Sequence, residues 1–170
     1  MTNSTQTMDR RLAATTDRAG KYLTFRLGAE EYGIEILHVQ EIIGMLAVTH
    51  VPRTPEFVRG VINLRGKVIP VVDLRLKFSM EGKDDTEKTC IIVVQLAGSA
   101  GAVTTGFTVD EVSEVLDIPA AEIEAAPEFG GDVDTEYILG MAKTKGSVKI
   151  LVDIAKVLGA GEIEQLEKTA

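Results

Sequence analysis

From Tyr22 onward the chain is punctuated by short runs in which apolar side chains alternate or crowd together, each closed by glycine or a charge. Tyr22-Leu23-Thr24-Phe25-Arg26-Leu27 places Leu23, Phe25 and Leu27 on one face before Gly28, the period-two signature of a half-buried strand. Runs rich in β-branched residues follow at 68–72, 91–96, 102–109 and 148–152 and predict further strands. Helical periodicity is confined to short stretches at 36–43, 55–59 and 120–125, and to a predicted C-terminal helix over 154–166. Many short strands with glycine turns and few helices predict an all-β fold of small barrels rather than a parallel α/β sheet. Pro70, inside a strand-like run, is expected at a sheet edge or a bulge because it cannot donate to a ladder.

The pattern also repeats. A shift of 80 positions carries Phe57, Gly60, Gly66, Val68, Val72 and Asp73 onto Tyr137, Gly140, Gly146, Val148, Val152 and Asp153 without a gap, and Arg65 onto Lys145. A shift of 73 carries Gly33, Ile34, Ile36, Val39, Glu41 and Ile42 onto Gly106, Phe107, Val109, Val112, Glu114 and Val115. Pro55-Glu56-Phe57 returns as Pro127-Glu128-Phe129. Such self-similarity predicts an internal duplication: one domain over 21–160 made of two lobes, about 22–78 and 90–158, with strand exchange between them left open. Residues 80–88 read as a charged linker. Residues 1–20 carry few large apolar side chains and are expected to form a flexible tail, since ordering them would cost entropy with little burial in return.

Composition narrows the functional classes. A chain of 170 residues with 45% hydrophobic side chains is long enough to close a core. Its net charge of −8 disfavours nucleic acid and anionic membrane surfaces, which would repel it. Cys90 is the only cysteine and sits in an apolar run, so a buried structural thiol is expected. The sequence shows neither a secretory apolar region nor a stretch of roughly 20 uncharged apolar residues, and a soluble cytoplasmic protein is the expectation.

Candidate chemistry is sparse. GVINLRGK, residues 60–67, resembles a phosphate loop, but five residues separate Gly60 from Gly66 where that loop needs four, and Val68 replaces the metal-binding hydroxyl. His38, His50 and Cys90 do not make a metal-ligand pattern, and neither histidine lies in a nucleophile motif. Asp73, Asp110 and Asp153 each follow a strand-like valine, a placement that suits capping a turn. The expectation is a non-enzyme without metal or cofactor. What stands out is charge: residues 53–77 hold six basic and two acidic side chains, a local +4 in a chain of −8. A basic island on an acidic protein favours an acidic partner. Within it Arg65, beside Gly66, offers a planar fork able to bind a carboxylate bidentately.

Glu31-Tyr32-Gly33-Ile34-Glu35-Ile36, Val39-Gln40-Glu41-Ile42, Thr54-Pro55, Gly60-Val61-Ile62-Asn63-Leu64-Arg65-Gly66, Ile69-Pro70-Val71-Val72-Asp73-Leu74-Arg75, Val109-Asp110 and Ala126-Pro127-Glu128-Phe129 together resemble the CheW family of chemotaxis adaptors, over about residues 22–158. The resemblance implies two five-stranded SH3-like β-barrels with a groove between them. It implies a non-catalytic scaffold joining methyl-accepting chemoreceptors to the regulatory domain of the histidine kinase CheA at membrane-bound receptor arrays. Receptor binding is carried over onto Val39, Glu41, Gly60, Asn63, Leu64, Arg65, Gly66, Val112 and Val115, and kinase binding onto Phe129. Near that contact the family can carry a basic residue where this chain has Glu124. A paralogue serving another receptor array shares these motifs, whereas a small-ligand barrel would need a polar pocket with converging acid, base or metal groups.

Overall fold

The runs that alternate in sequence become strands in the computed structural model, which describes residues 19–98, 101–126, 136–144 and 146–169. The first repeat supplies β1 (Gly20–Leu27), β2 (Glu30–Glu35), β3 (Val39–Gly44), β4 (Val58–Leu64) and β5 (Lys67–Asp73), followed by the short helix α1 (Leu74–Lys77). The second supplies β6 (Cys90–Gly98), β7 (Gly101–Val109), β8 (Glu111–Ile118), β9 (Ile123–Glu124), β10 (Ile138–Thr144) and β11 (Ser147–Val152), followed by α2 (Ile154–Val157) and α3 (Ala160–Thr169).

These strands form a six-stranded sheet of order β8-β1-β2-β11-β10-β9 and a five-stranded sheet of order β3-β6-β7-β5-β4. The sheets cut across the contiguous lobes 22–78 and 90–158. Each takes the opening hairpin of one repeat, β1–β2 or β6–β7, and the later strands of the other. The two repeats build the same register: Gly33 pairs with Leu151 in one parallel ladder and Gly106 with Val71 in the other, positions related by the shifts of 73 and 80. The same backbone bond closes each later half, from Asp73 N–H to Phe57 O and from Asp153 N–H to Tyr137 O, both 2.7 Å. Identical periodicity in the repeats leaves a hairpin free to pair with either later half, so sequence pattern alone does not decide the exchange.

Three apolar clusters follow from this arrangement. Ile62, Ile69, Val71, Ile91 and Val93 fill the five-stranded barrel, and Tyr22, Ile118, Ile123, Ala142 and Leu151 fill the six-stranded one. The largest core lies between them, where Leu23, Phe25 and Ile34 of one sheet meet Val72, Ile92 and Phe107 of the other and are closed over by Ile163 and Leu166 of α3. Phe25, Tyr32, Phe78 and Tyr137 stack in series through this region, with ring centroids 5.8, 5.5 and 5.3 Å apart.

Several local expectations change. The stretch 36–43 forms one 3-10 turn, Ile36–His38, and then β3, whose burial alternates residue by residue; β-branched Ile42 and Ile43 favour the extended backbone. Residues 120–125 likewise give a 3-10 turn and the short β9. The C-terminal helix is broken at Leu158 and Gly159 into α2 and α3, which lets Leu158 enter the central core. Pro70 lies in a central strand, facing Val61, but the ladder with β7 begins only at Val71, so no N–H is missed on that side. Cys90 is half-buried and donates to the Lys88 carbonyl at 3.2 Å. Gly20 already belongs to β1. Asp73 and Asp153 cap α1 and α2, accepting from Leu76 N–H and Ala155 N–H, while Asp110 accepts from Gly28 N–H and Arg75.

Glycine is required where the connection after β3 crosses β4. Thr49 and Val61 exchange two backbone hydrogen bonds of 2.9 Å, and a Cβ on Gly60, at φ +141°, would stand 2.0 Å from the Thr49 carbonyl oxygen. Gly60→Ala should therefore cost about 2–4 kcal/mol, from overpacking and strain together. Gly66→Ala, with φ +85° but nothing within 4 Å, should cost about 1 kcal/mol. Urea midpoints that rank the two variants in the opposite order would refute this account. A second prediction concerns Lys149, only 5% exposed, whose ammonium sits 2.7 Å from the Glu31 carboxylate. The bond from Lys149 holds the Glu31 carboxyl below its usual value of 4.5 although burial opposes it. Because the folded pKa is the lower one, this stabilisation is complete above the ordinary carboxylate range and is lost as pH falls through the folded value. Lys149→Met should thus flatten the decline of unfolding free energy between about pH 5 and pH 3, read from urea titrations at each pH.

Candidate functional site

The stretch GVINLRGK forms the end of β4, a tight turn and the start of β5. Leu64 pairs with Lys67, so Arg65 and Gly66 make a two-residue loop, and their φ values of 52° and 85° are the positive pair that a type I′ hairpin needs. Asn63 Oδ1 accepts from Gly66 N–H at 2.8 Å, which fixes the loop from inside. Leu64 packs toward the five-stranded barrel core. The turn thus delivers Arg65, 69% exposed in its side chain, on a rigid base.

Arg65 does not stand alone. Its Nη2 donates to Glu41 Oε1 on β3, and the carboxylate holds the guanidinium more firmly protonated. Since β3 and β4 are opposite edges of the five-stranded sheet, this contact spans the closure of the barrel. Ile43, Met45 and Val48 pack beneath it on the barrel core.

The basic island is largely answered within the chain. Arg59 grips Asp85 through two bonds of 2.9 and 2.8 Å, Arg75 meets Asp110 at 2.5 Å, and Lys77 meets both oxygens of Glu162 at 2.7 and 2.6 Å. Lys77 also lies 4.6 Å from the centre of the Phe57 ring, and Lys67 donates to Thr104 at 3.1 Å. The partner acids lie 24 to 85 positions away in sequence, so the local balance of +4 overstated the free charge. A sum over neighbouring positions has no means of detecting carboxylates brought in by the fold.

The apolar candidates fall on the outer strands of both sheets. Val39 on β3 and Val112 on β8 are half-buried against the central core, while Ile42 and Val115 on the same strands are 41% and 49% exposed. The structure therefore joins Val39, Glu41, Asn63, Leu64, Arg65 and Gly66 on one barrel, with Gly60 buried beneath as scaffold. Val112 and Val115 stand on the other barrel. Phe129 lies outside the described residues, and Glu124, beside β10, pairs with Lys143 at 2.6 Å. Leu37, 90% exposed in the turn between β2 and β3, gave no sequence signal, since an apolar residue in an apolar run reads as core. Among the described residues there is no group of three or more His, Cys, Asp or Glu placed to hold a metal, and no helix long and apolar enough to cross a membrane.

Known proteins share this architecture. The model of the CheW-like domain matches residues 21–162. The chemotaxis protein CheW of Klebsiella aerogenes is 42% identical over 94% of this chain and 96% of its own length. Protein FrzA of Myxococcus xanthus is 33% identical over 88% of this chain and 92% of its own. The crystal structure of the scaffolding protein TtCheW from Thermoanaerobacter tengcongensis superimposes with a TM-score of 0.73 at 34% identity, covering 85% of this chain and 95% of that one. Matched along nearly its whole folded length in family model, sequence and architecture, the chain belongs to the CheW-like family and is a chemotaxis adaptor.

Proposed function

We propose that this adaptor couples methyl-accepting chemoreceptors to the regulatory domain of the histidine kinase CheA, as a non-catalytic scaffold recruited to receptor arrays at the membrane. The receptor side comprises Val39, Glu41, the turn Asn63-Leu64-Arg65-Gly66, Val112 and Val115, with Gly60 shaping the backbone beneath it. The kinase side includes Phe129. The observation that carries the reading is the Glu41–Arg65 pair on the barrel closure, which holds an exposed guanidinium on a rigid turn: an oriented arginine of this kind is a common anchor of a protein interface. Both barrel interiors are filled by apolar side chains, which disfavours a small-ligand barrel. Two modest interfaces on one rigid body raise the effective concentration of kinase beside receptor without either being strong.

Arg65→Glu should leave the fold unchanged, because the side chain is exposed, yet it sets like charges against Glu41 and reverses the presented charge. In a reconstituted assay with receptor and kinase, receptor-dependent activation should fall roughly tenfold, the size of effect expected of an interfacial arginine. Full activation by a variant with native circular dichroism would remove Arg65 from the receptor interface.

A further inference from the structure

The chain passes between the sheets at two equivalent places, after β2 at residues 36–38 and after β7 at Asp110. The shift of 73 maps Leu37 onto Asp110, yet the two crossings differ in chemistry. At the second, Asp110 Oδ2 accepts from Gly28 N–H in the β1–β2 turn at 2.7 Å and from Arg75 Nη1 at 2.5 Å. Asp110 N–H donates to the Arg26 carbonyl at 3.0 Å, and Arg75 Nε donates to the Glu81 carbonyl in the inter-repeat connection at 2.9 Å. One carboxylate and one guanidinium thus tie the tip of a hairpin in the six-stranded sheet to the helix that ends β5 of the five-stranded sheet. Both side chains are mostly enclosed, at 16% and 12% exposed, and the space left beside them is about 10 Å³, room for no more than one water.

Among the described residues the first crossing shows no such tie. Leu37 stands out to solvent beside an open hollow of about 280 Å³ lined by Gly20, Tyr22 and Ile36, and the ion pair at its edge, His38 with Glu35, is 3.8 Å long.

We propose that Arg75 and Asp110 are positioning residues that fix the angle between the two sheets by clamping the β1–β2 turn against α1. The role rests on the adaptor reading for its purpose, since two interfaces on different barrels are held in register only if the barrels are. It acts through the sheets and requires neither residue to touch a partner. A charge-assisted pair with shared hydrogen bonds suits this work because it has a defined direction, which apolar packing lacks.

The test uses the isolated full-length protein, so its outcome is separate from whether receptor or kinase binds. Spin labels are attached at Gln95→Cys on β6 and Ser113→Cys on β8, one on each sheet, in a Cys90→Ser background, and their distance distribution is measured by pulsed dipolar spectroscopy. The distribution should widen in Arg75→Met and in Asp110→Ala and stay narrow in Arg75→Lys, which keeps the charge. Widths unchanged in the first two, with only the melting temperature lowered, would reduce the pair to ordinary stabilisation and overturn the proposal. Hydrogen exchange in the protein without these substitutions gives an independent reading if a variant fails to fold. The Gly28 amide, though at an exposed turn, should exchange about ten- to a hundredfold more slowly than that of Leu37, the effect of one hydrogen bond to a charged acceptor; equal rates would equally overturn it.

Discussion

The parallel ladders β2–β11 and β5–β7 are the constraint on which the molecule depends, because each joins a hairpin of one repeat to the later strands of the other. Without them neither barrel is complete and the central core has no second wall. Of the two hairpins, that of β2 needs glycine for this approach, since a Cβ on Gly33 would lie 2.9 Å from Cδ2 of its ladder partner Leu151; in that of β7 a Cβ on Gly106 would crowd Ile91 Cγ2 of its own hairpin at 2.7 Å and stand 3.7 Å from Val71 Cγ2 across the ladder. The strands that receive them are buried on both faces, with Leu151, Val152, Val71 and Val72 all inside. Parallel strands read as continuous apolar runs for that reason. Because the ladders link distant parts of the chain, neither barrel forms from local contacts alone, and folding is bound to the slow side of the contact-order trend.

The same junction is braced from its surface. The stack Phe25, Tyr32, Phe78 and Tyr137 draws on β1, β2, the residue after α1 and the residue before β10, so four segments share one apolar column. Burial raises the Tyr32 phenol above its ordinary pKa and keeps it neutral there. At the rim, α3 emerges beyond β11 of one sheet yet packs on β6 and β7 of the other, held by Lys77 to Glu162. Apolar contact supplies most of the free energy, and the enclosed ion pairs supply direction; a core of interchangeable aliphatic side chains would bury as much area while leaving the angle between the barrels loose.

Much of this was legible in the sequence because two periodicities were visible at once. The period of two located β1, runs of β-branched residues located β5, β6, β7 and β11, and the offsets of 80 and 73 located their equivalents, including Gly60 and Gly140, which later prove to abut backbone carbonyls. Strand exchange was not legible, since equivalent strands carry equivalent patterns and a hairpin recognises either later half. Nor were the partners of the basic residues: Asp85, Asp110 and Glu162 are unremarkable acids until the fold brings them to Arg59, Arg75 and Lys77. The short 3-10 turns at 36–38 and 120–122 read as helix because one turn satisfies a helical spacing that the following residues do not sustain. Of the candidate interaction residues, Arg65 and Glu41 were singled out separately and joined only by barrel closure, which no linear spacing encodes.

Duplication explains why the informative positions are those where the repeats differ. Where they agree, as at Gly60 and Gly140, which each abut a carbonyl of a crossing segment, or at Asp73 and Asp153, which each cap a helix, the residue answers to a demand of the fold met twice. Where they differ, the fold demand is already satisfied by either residue and something else selects. Ile69 completes one barrel core, while its counterpart Lys149 is buried against Glu31, the counterpart of Thr104. Replacing an apolar contact by an enclosed ion pair rarely increases stability, so the exchange has made the six-stranded barrel chemically unlike its twin. The same reasoning applies to Leu37 against Asp110, the one exposed beside a hollow and the other holding an ion pair. The two interfaces proposed for this adaptor need two barrels that do not substitute for one another, and in a duplicated scaffold these departures from symmetry are the positions able to provide the distinction.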